Sequence, residues 1–349
     1  MAKPWVVVVT GSSAGIGRAA ARAFGQDGAD VALLARGTDG IEAAQREIQA
    51  MGRRALAIAT DVADADQVEA AAERVERELG PIDVWVNNAM ATIFSPFIDI
   101  TPDEYRRATD VTYLGTVYGT LAALKRMRAR NHGTIVQVGS ALAYRSIPLQ
   151  APYCGAKFAI RGFTDSLRSE LLHERSRVKL TMVQLSAFNT PQFDWARAHV
   201  AHRPQPVPPI YQPEIAADAI VWAAKHPRRE HWVGLPAVRT ILAQHIAPGL
   251  LDRLAARMTW EDQMSDEPLP SNRPDNLYKP LPGDRGAHGR FDAQARTRSW
   301  QWWAAKRRRP LLVGAGALLV GALGIMLGPP GVRAAPEAAA AQLGIGGRQ

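Results

Sequence analysis

Trp5 to Thr10 is a nearly unbroken apolar run, and shorter runs of the same kind recur at Val31–Ala35, Ala55–Thr60, Val84–Asn87, Thr134–Gly139, Lys179–Leu185 and Trp232–Leu235. Continuous rather than alternating hydrophobicity marks strands covered on both faces, as in parallel sheets. The intervening stretches carry apolar residues at helical spacing. One opens with Thr101-Pro102-Asp103-Glu104, a capping box with proline at the first helical position. Strands alternating with helices predict an α/β fold: a Rossmann-type, doubly wound parallel sheet of about seven strands, with ligand held at the strands' carboxyl ends.

The rhythm breaks in three places. Ala187 to Gln212 is a long connection carrying Phe193, Trp195, His199, His202 and five prolines, and its position after the sixth strand predicts a lid over the substrate side. Ala237 to Met258 has apolar residues at helical spacing, interrupted at Pro248-Gly249. It predicts two amphipathic helices that pack on the core, close the pocket or lie on a membrane surface. Thr259 to Ser299 is rich in proline, aspartate, arginine and glycine, a composition that predicts a tether rather than a fold.

The C-terminus adds a different signal. Leu311 to Leu327 is seventeen residues without a charge, preceded by Lys306 to Arg309 and by Trp300, Trp302 and Trp303. Basic and aromatic residues flanking an apolar run predict a single transmembrane helix, with the α/β domain on the cytoplasmic side. Pro310 to Gly328 would extend about 28 Å as a helix, close to the roughly 30 Å hydrocarbon core. The expected organisation is therefore an α/β domain over 1–258, a linker over 259–303, a basic stop and membrane helix over 304–328, and a tail over 329–349.

Composition narrows the function. The 349 residues are 47% hydrophobic, ample for a core, and Cys154 is the only cysteine, which excludes an intrachain disulfide and a multi-cysteine metal site. Histidines are scattered; His199-x-x-His202 is the one close pair and lies in the proline-rich loop, so no metal site is expected. The net charge of +9 is concentrated beside the apolar run, which points to membrane topology rather than nucleic acid. Met1-Ala-Lys-Pro-Trp leads straight into the first strand and leaves no room for a signal sequence, so an unexported domain is expected.

Two clusters carry the chemistry. Thr10-Gly11-Ser12-Ser13-Ala14-Gly15-Ile16-Gly17 follows the first strand and opens a helix to Gln26: glycines for a tight turn and close approach, then helix amides aimed at phosphates. Its G-x-x-x-G-x-G spacing differs from the commoner dinucleotide fingerprint. Tyr153 and Lys157 stand four apart on a helix, so the ammonium can lie beside the phenol; a tyrosine titrating near ~10 would be brought toward neutral pH by that cation. Ser140, thirteen positions before Tyr153, could hold a substrate oxygen against the phenol.

Together these residues resemble the short-chain dehydrogenase/reductase family over roughly Lys3 to Leu235. Gly11, Ser13, Gly15, Ile16 and Gly17 lie in a stretch that looks like its cofactor loop, Asp61-Val62 like its adenine-contacting pair, and Asn87-Asn88-Ala89 like its motif after the fourth strand. Ser140, Tyr153 and Lys157 match its catalytic set, and Thr190 its contact to the nicotinamide amide. The resemblance also implies that Tyr153 and Lys157 touch the cofactor. Ala35, where NAD-preferring relatives have aspartate, with Arg36 beside it, implies NADP(H) held through its 2′-phosphate. Arg18 assists the phosphate or faces solvent.

The resemblance implies an NADP-dependent oxidoreductase interconverting a carbonyl and a secondary alcohol, on a small and, given the apolar lid, lipophilic substrate. It also implies self-association through the helices carrying Leu114–Arg128 and Tyr153–His173. Three departures stand out: Met90 for the glycine after Asn-Asn-Ala, Thr112 for an asparagine that supports a proton relay, and Ser186-Ala187 for Pro-Gly. They motivate the alternative of a membrane-tethered NADP-binding scaffold or sensor without turnover.

Overall fold

The computed structural model describes residues 3–308, which leaves Leu311–Leu327 and the expected membrane helix outside the described residues. The chain divides into two units, Met1–Trp302 and Trp303–Gln349. In the described start of the second unit, the Arg307 guanidinium lies 4.6 Å from the centre of the Trp303 ring. Among the described residues no helix is long and apolar enough to cross a membrane.

Seven strands form one parallel sheet: β1 (Val6–Thr10), β2 (Asp30–Ala35), β3 (Ala55–Ala59), β4 (Val84–Asn87), β5 (Thr134–Ser140), β6 (Lys179–Leu185) and β7 (Glu230–Val233). Their spatial order is β7-β6-β5-β4-β1-β2-β3. The uninterrupted apolar runs have the predicted cause, since β1 and β2 are buried along their whole length. The last strand lies earlier than predicted, because Gly234 at φ 89° turns the chain into a helix and Leu235 goes with the helix.

Among the described residues the α-helices of more than one turn are α1 (Gly15–Gln26), α2 (Thr38–Ala50), α3 (Ala65–Glu78), α4 (Pro102–Thr109), α5 (Gly115–Arg130), α6 (Ala151–His173), α7 (Pro213–Lys225), α8 (Leu235–Ile246), α9 (Pro248–Leu254) and α10 (Trp300–Lys306). The capping box forms at α4: the Glu104 backbone N–H donates to the Thr101 hydroxyl, and the Thr101 N–H donates to the Glu104 carboxylate. On the sheet faces α1 packs against α2 and α7, and α3 against α5. Strand order reverses between β1 and β4, which opens a crevice at their carboxyl ends.

The segment expected to be a tether is ordered. Met264–Pro268 pairs antiparallel with His202–Pro204, and Leu277, Ala287 and Phe291 are buried. Phe291 joins Phe94, Phe193 and Ile210 in an apolar cluster that pins the connection after β6. A few separated apolar anchors and many backbone hydrogen bonds hold this segment, a mode of packing that leaves no periodic signal in the sequence.

Candidate active site

The glycine turn is built by close approach. Gly11 has φ 67°, and a Cβ at Gly17 would lie 2.1 Å from the Gly11 carbonyl oxygen, so a side chain at either position would displace the turn. Thr10, the last residue of β1, ties this turn to the one after β4. Its hydroxyl accepts from the N–H groups of Asn88 (2.9 Å) and Ala89 (3.1 Å), and Asn88 Nδ2 donates to the Thr10 carbonyl (2.9 Å). Asn87 turns inward, accepting from Trp85 Nε1 and donating to Thr120 and Gln137. It supports the motif from the core.

Ser140 ends β5 and Tyr153 and Lys157 lie on α6, and the three line one cavity. Lys157 is buried; its Nζ donates to the Val138 carbonyl at 2.7 Å and lies 5.4 Å from the centre of the Tyr153 ring. Burial lowers this ammonium from its ordinary 10.5 to about 8. Burial pushes the Tyr153 phenol upward, while its hydrogen bond with Ser140 pulls the other way. The expectation that Lys157 brings Tyr153 down toward neutral pH is thereby corrected: desolvation of the phenolate outweighs the Ser140 hydrogen bond that favours it. Ser140 Oγ also accepts from the Leu142 N–H at 3.1 Å.

The cavity, about 440 Å³, is lined by every predicted cofactor residue: Gly11, Ser13, Gly15, Ile16, Gly17, Arg36, Asp61, Val62, Asn88, Ala89, Tyr153, Lys157 and Thr190. A turn too tight for side chains, continuous with a long slot, fits a dinucleotide. The far end is walled by Phe188, Phe193, Trp195 and Val207 from the connection after β6, in keeping with a lid.

Several expectations change. Arg18, read as assisting the phosphate or facing solvent, is 1% exposed, donating from Nε to Glu47 (2.8 Å) and from Nη1 to the Gly40 carbonyl (2.5 Å). It pins α1 to α2. Arg36 sits at the end of β2, yet Nη1 donates to the carbonyls of Leu277 (3.1 Å) and Tyr278 (3.0 Å) and Nη2 to that of Asn276. Those bonds leave Nε–H and one Nη2–H for a phosphate. Thr112 is fully buried; its hydroxyl accepts from the Ala91 N–H and donates to the Ala91 carbonyl, both at 2.9 Å. His199 Nε2 lies 3.0 Å from Glu104, and among the described residues no cluster could hold a metal ion. Cys154, beside Tyr153 on α6, is buried and free.

Sequence reasoning missed Thr10's double role and the wall made by residues 276–286. The first was legible, because a hydroxyl at the end of β1 faces the next strand's turn. The second had no local signal.

This architecture matches known proteins. The profile described as short chain dehydrogenase covers residues 5–200, and the chain belongs to that family. It is 32% identical over 315 residues to the uncharacterized oxidoreductase YxnA of Bacillus subtilis, covering 90% of this chain and 88% of YxnA. Among solved structures, the alcohol dehydrogenase of Thermococcus sibiricus complexed with 5-hydroxy-NADP aligns with TM-score 0.57 and 26% identity, covering 66% of this chain and 95% of its own. A metagenomic short-chain oxidoreductase in complex with NADP gives TM-score 0.54 and 28% identity, covering 66% and 95%. Both solved chains are nearly used up while about a third of this one is left over.

Proposed function

We propose that the protein is an NADP(H)-dependent oxidoreductase that interconverts a carbonyl and a secondary alcohol on a lipophilic substrate. The observation that carries this is the single cavity joining the glycine turn to Ser140, Tyr153 and Lys157 and ending among aromatic side chains. Arg36 beside Ala35, and the NADP ligands named for the two solved relatives, support NADP(H) over NAD(H).

Bound NADPH supplies the hydride. Ser140 donates a hydrogen bond to the substrate oxygen and orients the carbonyl, and Tyr153 gives that oxygen its proton as charge develops there. A phenol kept protonated by burial suits donation in the reductive direction. Lys157, about 8, stays cationic at pH 7 and stabilises the tyrosinate left behind. In the oxidative direction the same groups act in reverse. Asn88, Ala89 and Thr190 line the nicotinamide half, and Asp61 and Val62 the adenine end.

A membrane-associated, cytoplasm-facing enzyme is part of this reading. Leu242, Ile246, Leu250, Leu254 and Met258 are exposed on α8, α9 and the turn that follows, while Ala237 and Thr240 of α8 line the cavity. An apolar surface beside a pocket mouth suits a substrate drawn from lipid. Exposed Leu121 on α5 and Phe158 on α6 support pairing of two copies.

Turnover of apolar ketones and aldehydes with NADPH and with NADH tests the proposal. NADPH oxidation lost by at least about 100-fold in Tyr153→Phe, with NADPH still bound, is the expected result. Near wild-type turnover by Tyr153→Phe would overturn the mechanism, and binding without turnover by the wild type would favour the scaffold.

A further inference from the structure

Residues 276–286 cross the carboxyl edge of the sheet as a strap; one end is tied to the lid, where the Asn276 N–H donates to the Trp195 carbonyl at 3.1 Å, and its other anchors belong to the cofactor half. Arg36 holds the carbonyls of 276–278. Arg107 bridges the Leu277 carbonyl (3.1 Å) and the Asp61 carboxylate (2.6 Å). The Gly283 N–H donates to Asp39 at 2.6 Å, Asp284 pairs with Arg18 at 3.2 Å, and the Gly15 N–H donates to the Gly286 carbonyl at 3.0 Å. Leu277 is fully buried, in the same apolar cluster as Val62 and Val111.

The strap is a wall and not a plug. The cavity continues beneath it, lined by Ser13, Val62 and Val111 on the domain side and by Asn276, Pro280 and Arg285 on the strap side. Neighbouring charges divide: Asp284 turns to Arg18, and Arg285 turns to the cavity, where its hydrogen bond is a 3.3 Å contact to the Pro282 carbonyl. Arg285 stands between the anchor to Asp39 and the anchor to Gly15, which places it opposite the glycine turn. An arginine there matches the two negative charges of a pyrophosphate.

We infer that Arg285 is a cofactor-binding residue for the pyrophosphate, and that the strap turns an open crevice into a sleeve from which the dinucleotide leaves only when 276–286 lifts. The inference rests on reading the cavity as a dinucleotide site. It gives Arg36 a second role, as the residue that seats the strap.

The test uses full-length protein, NADPH and NADH, with fluorescence titration for affinity and displacement for release. Asp284 and Arg285 are both exposed, so Arg285→Gln and Asp284→Asn should fold. Arg285→Gln is expected to weaken both cofactors by about tenfold, because both carry the pyrophosphate. Asp284→Asn is expected to speed NADPH release several-fold. Unchanged affinity in Arg285→Gln, or a loss confined to NADPH, overturns the pyrophosphate assignment; tighter binding in Asp284→Asn shows the strap competing with the cofactor and overturns the sleeve. Failure of the wild type to bind either cofactor would sink the dinucleotide reading itself, whereas normal wild-type binding untouched by both variants sinks this inference alone.

Discussion

At the scale of residues, burial in one pocket moves two neighbours in opposite directions: the Tyr153 phenol rises above its ordinary 10.0 and the Lys157 ammonium falls from 10.5 to about 8. Above about pH 8 the folded chain has released a Lys157 proton that the unfolded chain still holds, so stability rises with pH up to about 10. Above pH 10 the folded chain keeps the Tyr153 proton that the unfolded chain loses, and the sign reverses. Relative to Lys157→Met, the cofactor-free wild type is expected to gain on the order of 2 kcal/mol between about pH 7 and pH 10. Urea denaturation of both proteins at the two pH values measures it, and a pH-independent difference would show that Lys157 is not desolvated as described.

Among the elements, the five-residue π-helical turn Asp110–Leu114 between α4 and α5 supports the site from below, with Val111 in the cavity wall. It carries Thr112, whose hydroxyl satisfies both backbone groups of Ala91 and so fixes the stretch after Asn88-Ala89. The family's asparagine would support a proton relay here; this threonine instead holds the backbone at Ala91. Thr112→Val keeps the shape and removes both hydrogen bonds from a buried site. It is expected to destabilise the fold by about 2 kcal/mol, the cost of orphaning buried backbone groups, and to weaken NADPH binding. Denaturation midpoints and titration check this, and a variant as stable as the wild type would assign the loop's position to other contacts.

For the whole molecule, the open question is what the C-terminus does beyond the strap. The apolar run Leu311–Leu327 and the exposed Leu242, Ile246 and Leu250 both suit a membrane, by different means. Full-length protein is expected to remain with membranes in carbonate, and a chain ending at Arg308 to be released by high salt alone. Release of the full-length protein by salt would defeat the spanning reading. A shortened chain that resists salt would place the attachment on α8 and α9.

Much of this protein was legible in its sequence because the information is local. Apolar runs located all seven strands; the glycine spacing, the i, i+4 pair Tyr153 and Lys157, and the Thr101 capping box each depend on residues a few positions apart, whose geometry the backbone dictates. Tertiary structure decided the rest. Arg36 meets partners some 240 positions away, and Arg18 meets Asp284 across 266. Composition marked 259–299 as too poor in aliphatics to fold alone, which is a statement about that segment's own core and not about the surface it covers. An extended strap stabilised by another element's guanidinium groups and one buried leucine needs no period of its own, so only the folded sheet edge could reveal where it lies.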